Sequence, residues 1–121
     1  MQVPKPSDAD KAFFRSVVPE EANVEVKPMF GNLGAFVNGN MFAGLFGSTV
    51  GVRLDEAGRA ELEAIDGVGP YGPEEHPMGG YLALPTAWRN DPEQAAMWVA
   101  RSLEYVASLP PKAPKAPKAK R

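Results

Sequence analysis

Few side chains in this sequence can carry chemistry, and their spacing decides against most of it. His76 is the single histidine, and cysteine is absent. It lies in the run Gly72-Pro73-Glu74-Glu75-His76-Pro77, beside two carboxylates. A structural or catalytic metal centre needs three or four ligands converging from separate segments, most of them histidine or cysteine. A lone histidine in a Gly/Pro turn reads as a surface residue instead. Gly67, Gly69 and Gly72 match the spacing G-x-G-x-x-G, whose chemistry is the cradling of a pyrophosphate at a helix N-terminus. Here the run follows a helical segment rather than a strand and contains Pro70, so it reads as a turn. There is no phosphate loop ending in Gly-Lys-Ser or Gly-Lys-Thr and no Gly-x-Ser-x-Gly elbow, and Ser48 and Thr49 have no base near them in sequence. Glu20-Glu21 and Glu74-Glu75 are chain neighbours, which does not build an acid/base pair. The expectation is a protein without enzymatic activity, cofactor or metal.

Charge is the second source of function. The net value of −2 conceals a segregation: Lys112, Lys115, Lys118, Lys120 and Arg121 crowd the last segment, which holds no acid. The remaining chain has eight basic against fifteen acidic residues, a balance of −7. An acidic body opposes broad phosphate binding by the fold itself, whereas the basic tail is a candidate for weak, sequence-independent nucleic-acid contact. Its Lys-Ala-Pro repeat offers nothing apolar to pack and is expected to be disordered. A length of 121 residues and 44 % hydrophobic content fit one globular domain over residues 1–109, followed by the tail over 110–121. No apolar run is long enough to span a bilayer, the N-terminus is too polar for a secretory signal, and the expected compartment is the cytoplasm.

The elements that would position these residues are marked by caps and turns. Ser7 is a helix N-cap with Asp10 placed to reach back, and Phe13, Phe14, Val17 and Val18 form the apolar stripe up to Pro19. Residues 23–30 alternate as a half-buried strand, with Pro28 favouring a sheet edge. Asn38-Gly39 suits a type I′ hairpin turn and Gly47-Ser48 a type II′ turn, which sets Val37 opposite Asn40 and Phe46 opposite Thr49. Asp55 caps a helix over 56–66 that Gly67 ends, residues 67–79 form a loop, and 80–84 a strand. Asp91 with Pro92 at the first helical position opens the last helix, whose stripe runs Ala95, Trp98, Val99, Ser102, Val106 and Leu109. The order is α-β-β-β-β-α-β-β-α, an α+β fold built on an antiparallel meander.

Strict alternation through both hairpins divides the meander into two faces. Phe36, Met41, Ala43, Leu45, Val50, Val52 and Leu54 make the expected core side. Leu33, Ala35, Val37, Phe42 and Phe46 make the other, with a dent where Gly44 opposes Gly51. That second face is too apolar for a solvated one, so Leu33, Val37, Phe42 and Phe46 are candidate interface residues for a protein partner or a homodimer unless the chain itself covers them. Met29-Phe30 and Met41-Phe42 are adaptable pairs of the kind found at contact sites, with core packing the alternative. Tyr81, Trp88 and Trp98 read as packing residues rather than a base-stacking platform.

The segment around Met29-Phe30-Gly31, with Gly34, Asn38-Gly39 and Met41-Phe42, then the Pro-Met-Gly-Gly-Tyr run ending at Tyr81 and a Trp-bearing terminal helix, resembles the N-terminal domain of the TfoX/Sxy family. The resemblance spans about residues 9–109. It implies a small α+β domain in regulators of natural competence that act with transcription factors at promoters. Full-length members also carry a helical C-terminal domain, where this sequence has a Lys/Pro/Ala segment, so the resemblance implies a stand-alone domain. The function expected is a non-catalytic regulatory or adaptor module; the alternatives are a structural homo-oligomer or a small-ligand-binding domain using the loop from His76 to Tyr81.

Overall fold

A computed structural model describes residues 5–29, 32–72 and 78–110. Helix α1 (Asp8–Val17) leads into strands β1 (Val24–Met29), β2 (Asn32–Val37), β3 (Asn40–Phe46) and β4 (Thr49–Arg53). Helix α2 (Glu56–Glu63), strands β5 (Gly69–Pro70) and β6 (Tyr81–Ala83), a short 3₁₀ turn (Thr86–Asn90) and helix α3 (Pro92–Ala107) complete the chain. The six strands form one antiparallel sheet in the order β1-β2-β3-β4-β6-β5. This is the expected α+β order. Among the described residues no helix is long and apolar enough to cross a membrane.

The helix starts form as their sequences dictate. Ser7 Oγ accepts from Asp10 N at 3.1 Å while Asp10 Oδ2 accepts from Ser7 N at 2.8 Å, a complete capping box. Asp55 Oδ1 accepts from Gly58 N at 2.8 Å, and Asp91 Oδ1 from Gln94 N at 3.4 Å. Helix α2 stops at Glu63, three residues short of expectation, and Gly67 takes its positive φ of 93° in the turn beyond. Asn38 and Gly39 both have positive φ, as a type I′ turn requires, and Gly47 alone does so in the second turn. The expected loop over 67–79 includes the two-residue edge strand β5.

The sheet register differs from strict alternation at one point, and that point decides which face is the core. Val37 pairs with Asn40 and Phe36 with Met41, but Ala35 pairs with Ala43, so β3 carries one extra residue at Phe42. Such a bulge reverses the side-chain phase beyond it. Ala43, Leu45, Val50 and Val52 therefore share a face with Leu33, Ala35 and Val37, and all are buried. Phe42 itself is fully buried in the same cluster with Phe14, Leu62, Trp98, Val99 and Val106. Helix α3 lies across β2, β3 and β4 on this side, and α1 packs against α3. The expected faces are corrected accordingly. Leu33, Ala35, Val37 and Phe42 belong to the core, whereas Phe36 and Met41 lie on the opposite face.

The bulge leaves a cross-strand hydrogen-bonding pair unmade, and Ser102 takes its place. Without the extra residue, Phe42 and Arg53 would exchange backbone bonds, continuing the ladder from Gly44 and Gly51. Instead the Ser102 hydroxyl, fully buried on α3, accepts from Arg53 N at 3.1 Å and lies against the carbonyl oxygens of Phe42 and Arg53, to either of which it can donate. Buried backbone groups need partners, and a serine at this helix position supplies them.

Candidate interaction surface

The face away from the helices is built on a row of small residues. Gly34, Gly44, Gly51, Ala83 and Gly69 stand opposite one another across five strands. They leave a trough, and the chain fills much of it from its own length. Tyr71, buried, lays its ring on Gly51, where any Cβ would fall 2.3 Å from the ring's Cδ1 and 2.4 Å from its Cγ. Its hydroxyl would lie 2.6 Å from a Cβ on Gly44. Met41 and the Phe36 ring close over Gly34, with Sδ and Cε1 at 3.1 Å and 2.9 Å from the position of a Cβ there. Tyr71 meets Phe46 edge-on at 6.2 Å between centroids and Tyr81 at 6.1 Å.

Tyr81 Oη donates to Met41 O at 2.9 Å, reaching across β4 to the bulged segment of β3. Ser102 serves the same segment from the opposite side. Both phenols are held protonated: burial pushes the Tyr71 hydroxyl well above its ordinary range, helped by the neighbouring Tyr81. Burial also raises Tyr81, against a smaller opposing effect of Arg53. They therefore act as neutral packing and donor groups. Around this centre Phe36 and Phe46 stay half exposed, and Lys27 Nζ sits 4.8 Å from the Phe36 ring centroid. The result is a partly covered aromatic face with a cationic border at Lys27 and Arg53.

Of the four candidate interface residues, only Phe46 lies on this surface. Leu33, Val37 and Phe42 are enclosed within the domain and offer nothing to a partner. Within the motif that carried the resemblance, Gly34 lies in the trough, Met41 over it and Phe42 in the core, while Asn38-Gly39 makes the turn. Met29 closes β1, and Phe30 and Gly31 lie outside the described residues. So do Glu74, Glu75 and His76, and the basic residues Lys112, Lys115, Lys118, Lys120 and Arg121. Trp98 is a core residue, Trp88 packs against the core and Tyr81 lies half-buried on the sheet, as packing roles require. Among the described residues no group of three or more His, Cys, Asp or Glu is placed to hold a metal.

Three residues were missed in the sequence as organisers of the fold. Tyr71 sat in what read as loop; its signal was the glycine pair opposite each other, which demands a filler. Asn32, buried at the start of β2, accepts from Gly47 N at 2.8 Å through Oδ1 and pins the second hairpin turn to the first connection. Arg89 binds Asp10 at 2.8 Å and lies 5.0 Å from the Phe13 ring centroid, joining the 3₁₀ turn to α1. The backbone bond from Ser7 is the main cause that holds the Asp10 carboxyl below its ordinary range, with Arg89 adding to it.

Comparison with protein families matches residues 17–106 to the TfoX N-terminal domain. No curated protein matches the chain.

Proposed function

The chain belongs to the TfoX N-terminal domain family, and from that premise we propose that it is a non-catalytic regulatory adaptor that attaches weakly to nucleic acid through its basic tail. The observation that carries this is the use the fold makes of its polar groups. Ser102, Tyr81 and Asn32 each bond a backbone group of the sheet, and Ser7, Asp55 and Asp91 each cap a helix. Groups so engaged hold a shape rather than transform a substrate. The segregated charge supports the second half: the body is acidic, and five cations lie beyond Pro110. Five phosphate contacts give a salt slope no steeper than about −4.5 on duplex DNA, so binding is weak and indifferent to sequence. A transcription-associated role follows the family resemblance.

The test compares the full chain with one ending at Pro110, a boundary that keeps the 3.1 Å bond from Asn40 Nδ2 to Pro110 O. Anisotropy of labelled duplex DNA at low salt is expected to show binding by the full chain and its loss on truncation. Equal affinities would remove the tail from the account.

A further inference from the structure

We propose that β1 is the docking edge for a second copy of this chain, joined about a two-fold axis at Val26. This does not rest on the adaptor function. Strand β1 is the outer strand of the sheet, and its far side is unpaired among the described residues. Met29 and Asn32 flank the two-residue connection to β2, which makes them a mutually hydrogen-bonded pair. Alternation then directs the amides of Lys27 and Glu25 to β2 as well and turns Val24, Val26 and Pro28 outward. Pro28 has no N–H, as suits an outward position on an edge. The Val24 amide donates to Glu21 O at 3.0 Å. Val26 is left as the one outward donor of the strand.

Charge selects how a second edge can meet this one. A two-fold axis normal to the sheet pairs antiparallel strands with their helix layers on the same side. Pro28 has no N–H and the Val24 amide is engaged, so centring on either exchanges no pair of bonds, and registers centred on Glu25, Val26 or Lys27 remain. Centring on Glu25 or Lys27 puts like charges directly opposite each other, which is destabilising. Centring on Val26 puts each Glu25 opposite the other copy's Lys27, and lets the two Val26 residues exchange both N–H···O bonds. The two side chains are available for this: they are 69 % and 49 % exposed and already 3.9 Å apart within the chain.

On the helix side, half-exposed Val24 and Val26 line an open groove of about 400 Å³ with Val18, and Arg15, Glu20 and Glu21 make its charged part. In the paired arrangement the two grooves adjoin, with Val24 and Val26 of each copy at the seam and the charged residues at the groove's outer wall. Pro28 and the engaged Val24 amide limit the union to a single bridge, and β5 at the opposite edge has only two residues. The assembly therefore closes at two copies rather than growing.

Sedimentation equilibrium of the full chain between about 10 µM and about 1 mM tests this, since a small interface of this kind dissociates in that range. The average mass is expected to rise toward the dimer. Val26→Pro, which removes no bond within the domain, is expected to stay monomeric, as is Lys27→Glu. The exchanged pair Glu25→Lys with Lys27→Glu restores the dimer. A monomer throughout, or a dimer indifferent to either single change, overturns the proposal. Should a variant fail to fold, the unaltered chain still decides: the Val26 amide gains exchange protection as concentration rises, and protection that does not change with concentration counts against pairing.

Discussion

On the helix side of the sheet, Leu45, Val50 and Val52 meet large side chains delivered by α1 and α3, while on the other side Gly34, Gly44 and Gly51 open a trough that Tyr71, Met41 and Phe36 fill. The first face is sealed by whole helices, and the second by single side chains lying flat. The difference comes from one inserted residue. The bulge at Phe42 collects the branched side chains on the side the helices can reach and aligns the three glycines on the other. A core of this kind resists change at many positions. The trough depends on the fit of one ring.

The largest contrast is between two phenylalanines that strict alternation would have placed the other way round. Phe42→Ala is expected to lower unfolding free energy by about 3–5 kcal/mol, the usual cost of emptying a buried aromatic site. Phe36→Ala, half exposed on the open face, should cost about 1–2 kcal/mol. Urea denaturation of both variants measures this, and equal losses would erase the distinction between the faces.

Ser102→Ala probes the join between them. It leaves the Arg53 amide and nearby carbonyls buried without the hydroxyl, at an expected cost of about 1–3 kcal/mol. Amide exchange at Arg53 should accelerate in the same variant, and an unchanged rate would deny the bridging role.

A cycle between Gly51 and Tyr71 sharpens the description of the trough. Gly51→Ala should cost about 1–3 kcal/mol because its methyl displaces the ring. In a Tyr71→Ala background the same change should cost at least about 1 kcal/mol less, a coupling typical of residues in contact. Independent effects would mean that the ring does not lie on the glycine.

The smallest effect is alkaline. Both trough phenols are shifted upward by burial. Below about pH 10 folded and unfolded chains alike keep them protonated, and the stabilisation is complete. As pH rises further the unfolded chain ionises first and stability falls. Tyr71→Phe should make that fall shallower in melting curves recorded against pH.

Local signals in the sequence were strong and correctly placed the helix starts and both hairpin turns. Ser7, Asp55 and Asp91 cap through their own side chains, and Asn38, Gly39 and Gly47 adopt φ values that other residues resist. These depend on neighbours within three or four positions. The assignment of faces depends on pairing between strands, where one added residue at Phe42 inverts the outcome for Leu33, Ala35 and Val37. A clue was present: only with an extra residue in β3 do Gly34, Gly44 and Gly51 align. The docking of Tyr71 onto that row, and of Ser102 between two strands, joins residues 20–60 positions apart in sequence. Helical periodicity marked Ser102 as inward-facing but could not show which backbone groups it serves.

The register itself can be read directly by nuclear Overhauser contacts between α-protons across β2 and β3. The bulged pairing predicts a strong contact between Gly34 and Gly44, which face each other as a pair without mutual hydrogen bonds. A strong contact from Gly34 to Ala43 instead would contradict the bulge, and with it the division of the sheet into a sealed face and a trough.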